Sequence, residues 1–414
     1  MKNLPWSVPG ATGSASALGV RVPVPRWKRA KDAVLTFLTR LALRLLPSAR
    51  NNTPVRRSLW TGAPILNMAI NARAERLLGV HADSLVYQSY FITDQFTYNL
   101  RRWSRVPLLR TLLPYLVFLW ACRRYQRFHF YCNRGLLGPA SPGQFRPEEL
   151  QMLRQLGKQV YFWTYGADVR TRAITAGLGE PNCCTACPAP GRACVCDPER
   201  GRENLARIAA AATAVFAMGD MTEYTPGSRN DLFFWPVDLE ADRSRRYAAH
   251  YPAPQSDRPL RIVHAPNHRH FKGTQYLLDA VARLRDQGYA IELVLVEGVP
   301  NRQALEIYRT ADLVFDQCLI GFHGYFALEA MAMGKPVLCY LRKPQEYLLD
   351  WENCPIVNTP ADRVEATLRE LLGDRARLHD LGCRGRRYVD THFTLAAFAE
   401  RLRRAYQDVE GKRP

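Results

Sequence analysis

Between residues 260 and 341 short apolar runs alternate with helical periods, and the connections are a few residues long. The runs 260–265, 291–296, 311–315 and 336–341 read as strands. After Thr274, which can cap a helix, Leu277, Leu278, Val281 and Leu284 recur at a helical period, and Gly288 ends it. Residues 301–310 read as a short helix. This alternation dictates parallel pairing, because each strand returns through a helix before the next begins, and both sheet faces become covered. Ligands of such sheets bind beyond the carboxyl ends of the strands. The loops 266–273 and 317–324 both follow strands, so both are expected at that edge.

The stretch 321–337 sharpens the expectation. It reads as a glycine-bearing loop, a helix with Glu329 in its first half, a Gly334 stop and a strand. Such a layout points backbone N–H groups and a positive dipole end at His323, Gly324 and Tyr325, where a phosphate can sit. Glu329 lies about a turn further in, within reach of ribose hydroxyls. A plain αβ unit with a glycine turn reads the same way in isolation.

Short blocks in the right order carry a resemblance. Three of them are Lys272-Gly273 opening a helix, Tyr308-Arg-Thr-Ala-Asp312 before the third strand, and the run Glu329-Ala-Met-Ala-Met-Gly-Lys-Pro-Val337. They resemble the donor domain of family-4 glycosyltransferases. That resemblance implies an α/β GT-B fold, two Rossmann-like domains facing across a cleft. Trp235-Pro-Val-Asp-Leu239 and Tyr165-Gly-Ala-Asp168 are weaker echoes in the first half. Two departures stand out. The family's first glutamate would fall at Gly321, and an arginine it often carries would fall at Asn267. Arg269, flanked by His268 and His270, offers a substitute cation, and Asp316 is the carboxylate nearest in sequence to the missing glutamate.

By resemblance the reaction is retaining transfer of a sugar (hexosyl type) from a nucleotide-diphospho donor to a glycan or lipid-linked acceptor, as in surface-polysaccharide synthesis. The departing diphosphate gains charge, and a helix N-terminus with Lys or Arg meets that charge without a catalytic metal. Lys272 and Arg269 are the expected cations, with Asn267, Gly273 and the amides around His323, Gly324 and Tyr325 completing the donor site. Glu329 is expected on the ribose. Tyr165 stands where the family has histidine, so Tyr165, Asp168 and His129 are all candidates for acceptor-side chemistry. A half-buried strand histidine is the other reading of His129.

Length and linker fit two domains. Residues 1–57 form a basic extension, 58–240 an acceptor-side domain and 258–392 a donor domain. A terminal helix near 395–407, within 393–414, crosses back. In the first half, 58–60, 84–90 and 159–163 read as strands, 65–78 as a helix, and 209–217 as a run from helix to strand.

The net charge of +19 requires a partner. Residues 1–50 carry nine Lys or Arg against Asp32 alone. From Trp27, the residues Ala30, Val34, Phe37, Leu38, Leu41 and Leu45 share one helical stripe, flanked by cations. Such helices lie on anionic membranes, though the same stripe could pack on the fold. The segment 106–122 has arginines at both ends and contains Pro114, and its uncharged run, 111–122, is too short to span a bilayer. It reads either as a helix dipping into headgroups or as a buried one. The first 25 residues lack a signal-peptide core, so a cytoplasmic, membrane-peripheral place is expected. Nucleic acid is a rival partner for the charge, yet no nucleic-acid-binding signature is present.

Five of eleven cysteines fall between 183 and 196. Cys184, Cys187, Cys194 and Cys196 suggest a structural zinc site with Cys183 spare, and the alternatives are a free-thiol loop, disulfide or redox chemistry, or an iron–sulfur cluster. Two further readings of the whole chain remain. One is a non-catalytic nucleotide-sugar-binding protein of the same fold, consistent with Gly321 and Tyr165. The other is a basic scaffold.

Overall fold

The computed structural model describes residues 26–45, 56–89, 93, 95–131, 134–138, 145–191, 194–240 and 246–410. Most of the basic extension (1–25 and 46–55), together with Asn133 and Tyr90, lies outside them.

Two all-parallel sheets organise the chain. The first contains β1 (Arg57–Thr61), β2 (His81–Val86), β3 (Tyr98–Asn99), β4 (Arg127–Tyr131), β5 (Gln159–Trp163) and β6 (Ala214–Phe216), ordered β3-β2-β1-β4-β5-β6. The second contains β7 (Leu260–His264), β8 (Ile291–Leu295), β9 (Leu313–Gln317), β10 (Val337–Cys339) and β11 (Val357–Asn358), ordered β11-β10-β9-β7-β8. In each sheet the order reverses beside the first strand, between β1 and β4 and between β7 and β9. Those reversals open crevices at the carboxyl ends, where ligands of such sheets bind.

Some boundaries differ from expectation. The 84–90 strand is in fact His81–Val86, because exposed His81 and partly exposed Asp83 interrupt the apolar pattern at its start. The run 209–217 resolves into the end of helix Pro198–Ala209 and strand Ala214–Phe216. Thr274 is not the cap. Gly273, in the left-handed region at φ +68, precedes the helix, and Thr274 turns its hydroxyl to His264 Nε2 at 2.8 Å. A Cβ on Gly273 would also run into Cys318, so only glycine fits here.

The centre of the first sheet is aromatic. All five residues of β4 are buried, and Trp60 of β1 stacks on His129 at 3.9 Å between centroids. Burial of each such ring contributes roughly 2–3 kcal/mol. Glu75, on helix α2 (Leu66–Arg76), is fully enclosed beneath this cluster. It accepts from Ser58 Oγ (2.7 Å), Trp60 Nε1 (2.6 Å), Arg127 Nη1 (3.0 Å) and Tyr406 OH (2.7 Å). Tyr406 belongs to the last helix, Leu395–Glu410, which packs on α2 and so ties the chain's end to the first sheet.

His264 closes the second core. Its Nδ1 lies 2.8 Å from the Phe315 carbonyl, so Nδ1 carries the proton and Nε2 accepts from Thr274. Burial pushes its pKa down to about 4. The stability this histidine adds is therefore whole above its unfolded value of about 6.5 and is lost as pH falls through about 4. Imidazole nitrogen shifts followed by NMR are expected to show an Nδ1–H tautomer that stays neutral at pH 5. A midpoint near 6.5 would contradict this packing.

Candidate functional site

The loops after β7 and β9 meet at the second crevice. The first contains a short helix, Arg269–Lys272, where the sequence predicts an open loop. The second ends at Gly324, which precedes the helix Tyr325–Ala332. Lys272 Nζ is 2.5 Å from Asp316 Oδ1, and Gly324 N–H donates to Asp316 Oδ2 at 2.5 Å. A Cβ on Gly324 would lie 2.9 Å from Lys272 Nζ. A lysine ammonium and a helix-terminal amide thus converge on one carboxylate. Burial alone would raise the pKa of Asp316. The Lys272 ammonium and the Gly324 amide outweigh burial and hold it below its ordinary value. Chemically this is an anion cradle filled by a side chain of the protein itself.

The other residues expected at the donor lie on the same two loops and on the helix that follows the second. Arg269 is exposed and forks onto Glu297 at 2.8 and 2.5 Å. Asn267 is exposed. His323 is buried against Phe322 and Trp235, and burial pushes its pKa down to about 4. Tyr325 donates to the Pro236 carbonyl at 2.9 Å, joining this helix to the segment that leaves the first sheet. Glu329 is only 3% exposed and accepts from Asn301 Nδ2 (2.9 Å) and Tyr247 OH (3.2 Å). Its burial pushes the carboxyl up to about 7, so near neutrality it can accept or donate a hydrogen bond.

At Gly321, φ is +92 and a Cβ would run into the Arg342 guanidinium. Arg342 donates to the Ile320 carbonyl, and among the described residues its buried Nη1 has no hydrogen-bond partner. A cation therefore packs over the position at which the resembled family carries a glutamate. Sequence reasoning missed Arg342, Asn301, Tyr247 and Glu297, all remote in sequence from the loops they face. The strand order offered one usable signal, since Arg342 lies just after β10, the neighbour of β9.

Of the acceptor-side candidates, Tyr165 and Asp168 share one turn and His129 lies apart from them. Asp168 Oδ1 accepts from the Tyr165 and Gly166 amides at 3.0 Å each, an Asx-type turn after β5. Tyr165 is partly exposed at the same edge. His129 has no exposed surface. It is hydrogen-bonded to Trp163 Nε1 (3.1 Å) and Tyr406 OH (3.2 Å), and burial lowers its pKa. A parallel strand covered on both faces buries every residue, so His129 is core rather than cleft in this arrangement.

The cysteine loop crosses to the other lobe. His270 Nε2 approaches the Cys183 carbonyl at 3.0 Å, and Cys183, Cys184 and Cys194 join the apolar cluster of Phe271 and Leu319. Cys196 accepts from the Gly191 amide at 3.0 Å. Among the described residues, no three Cys, His, Asp or Glu side chains stand where they would hold a metal ion. Burial raises the thiol pKa of both Cys194 and Cys196, and the neighbouring Cys184 adds to both, so thiols of the loop lie near one another without meeting at metal-ligand spacing.

No protein-family model and no curated protein matches the chain. Solved structures do. Sucrose-phosphate synthase from Thermosynechococcus elongatus is 14% identical with a TM-score of 0.52, covering 86% of this chain and 100% of that one. Anabaena HepE in complex with UDP-glucose is 10% identical with a TM-score of 0.51, covering 85% and 99%. The catalytic domain of starch synthase IV from Arabidopsis thaliana, bound to ADP and acarbose, is 9% identical with a TM-score of 0.51, covering 87% and 100%. Two parallel α/β units of six and five strands, aligned over nearly the whole of these structures, give this chain the GT-B fold.

Proposed function

We propose that the protein is a glycosyltransferase that moves a sugar from a nucleotide-diphospho donor to a glycan or lipid-linked acceptor. The observation that carries this reading is the convergence of Lys272 Nζ and the Gly324 amide on a single anion, at the crevice of a GT-B sheet. When donor arrives, a phosphate oxygen takes the place of the Asp316 carboxylate or shares the ammonium with it. As the bond from the sugar's anomeric carbon to the phosphate oxygen breaks, its electron pair passes to the diphosphate. Lys272 and the amide dipoles stabilise that charge. On a retaining course the acceptor hydroxyl attacks from the same face, and its proton passes to the departing phosphate oxygen. No protein-bound metal is needed for this step. Glu329 holds the ribose hydroxyls, sharing them with Asn301.

One observation favours a second reading, a binding protein without transfer. Both expected cations already face carboxylates, Lys272 with Asp316 and Arg269 with Glu297, and Gly321 replaces a glutamate. Incubation with a panel of nucleotide-sugars, assayed for released nucleotide, separates the two. Transfer predicts release that rises with the right acceptor. Binding with no release from any donor supports the second reading. Glu329→Ala is expected to weaken binding of the matching nucleoside diphosphate by about tenfold, roughly 1.4 kcal/mol, read by calorimetry. Unchanged affinity would remove Glu329 from the ribose.

A further inference from the structure

Helix α1 (Arg26–Leu45) is turned opposite to what burial would demand. Its buried side chains are Thr36, Thr39 and Leu43. Its apolar stripe faces outward, with Trp27 64%, Phe37 65% and Leu45 73% exposed, and Val34, Leu38 and Leu41 exposed between them. At about 100° per residue these six fall within an arc of roughly 100°, a single face. The inward side is held by polar contacts instead. Tyr115 OH lies 3.4 Å from Asp32 Oδ1, Arg146 reaches Thr36 Oγ1 at 3.4 Å, and Arg40 donates to Gln151 at 2.7 Å.

The helix packs on α3 (Pro107–Arg124), which adds exposed Leu112 and Leu116. Arginines at both ends of α3 are exposed as well, including Arg110, Arg123 and Arg124. Cations flank the stripe on α1, with Arg26, Lys28, Arg29 and Arg44 exposed. Lys28 and Lys31 both lie 5.5 Å from the Trp27 ring centroid. Among the described residues of α1 the one acid, Asp32, is engaged on the inward side. No described helix is long and apolar enough to cross a membrane.

We propose that the outward face of α1, continued by α3, is a docking surface for an anionic lipid bilayer. An exposed apolar stripe edged with lysine and arginine matches the layered chemistry of a bilayer surface, with acyl chains below and anionic headgroups around. A tryptophan at the edge suits the headgroup level. A second copy fits poorly, because a two-fold contact would press the same cations against each other. The sequence left the stripe free to pack inward. Its outward orientation is a property of the fold, independent of the reaction proposed above.

The test uses the full chain and sedimentation with vesicles. Phosphatidylcholine vesicles containing phosphatidylglycerol are expected to capture the protein, and pure phosphatidylcholine vesicles to leave it in solution. Raising the salt from about 0.1 to about 0.5 M should reduce capture at least about fivefold. Phe37→Glu with Leu41→Glu is expected to reduce capture at least about tenfold, with nucleotide binding unchanged as evidence of folding. Should that pair fail to fold, Lys28→Gln with Arg44→Gln removes two exposed charges and should lower capture several-fold. Equal capture by neutral vesicles, no capture by either kind, or full capture of both variant pairs would overturn the proposal. So would a dimer in solution that the Phe37 and Leu41 changes dissolve.

Discussion

Replacing Lys272 with methionine should lower sugar transfer by at least about a hundredfold, the scale of losing a charged donor aimed at a developing anion. The variant also strands Asp316, which has no exposed surface and whose carboxylate is ionised by Lys272. Removing one partner of a buried pair costs about 3–5 kcal/mol, so the single variant is expected to be less stable as well as inactive. Pairing it with Asp316→Asn separates the two effects. The double variant loses both charges, so its Tm should recover most of the deficit while transfer stays absent. Recovery of transfer together with stability would make Lys272 a structural residue only. Asp316→Asn alone leaves the ammonium and the Gly324 amide unopposed. It should bind nucleoside diphosphate more tightly than the natural chain.

The second large effect is expected at Glu75. Its carboxylate collects donors from β1, β4 and the last helix, and Arg127 beside it has a side chain only 2% exposed. Burial would raise the pKa of Glu75. The neighbouring His129 and Arg127, with the hydrogen bonds, outweigh burial and hold it well below the carboxylate range. Glu75→Ala leaves the guanidinium uncompensated in an aromatic core and unties Tyr406. The expected loss is about 3–5 kcal/mol, a fall in Tm on the order of 10 °C. The folded-state value lies below the unfolded one. The stability Glu75 adds is therefore present above about pH 4.5 and fades as acid protonates it. A melting curve of the variant within a degree or two of the natural chain at pH 7 would show that the network contributes little.

Much of the second sheet was legible because each element there is short, punctuated by glycine and separated by few residues. Local pattern and tertiary order then agree. Gly273, Gly288 and Gly334 all sit at left-handed turns where helices start or stop. Lys272 and Gly324 could be brought to one edge from strand order alone. What the pattern could not supply was direction. The alternation in Arg127-Phe-His-Phe-Tyr131 suggests a half-buried strand, but β4 is covered on both faces, and His129 is core. The stripe of α1 has the right period for packing and is turned to the outside, because polar side chains hold its other face. Asp316 was visible in sequence as a carboxylate near the gap at Gly321. Its position between Lys272 and Gly324 depends on two loops more than forty residues apart.

Calorimetric titration of UDP, GDP and ADP into the natural chain and into Lys272→Met with Asp316→Asn tests the anion cradle most directly. One diphosphate is expected to bind the natural chain in the micromolar range, and the double variant at least about tenfold more weakly. Equal affinity in both proteins, or no binding of any diphosphate to the natural chain, would contradict it.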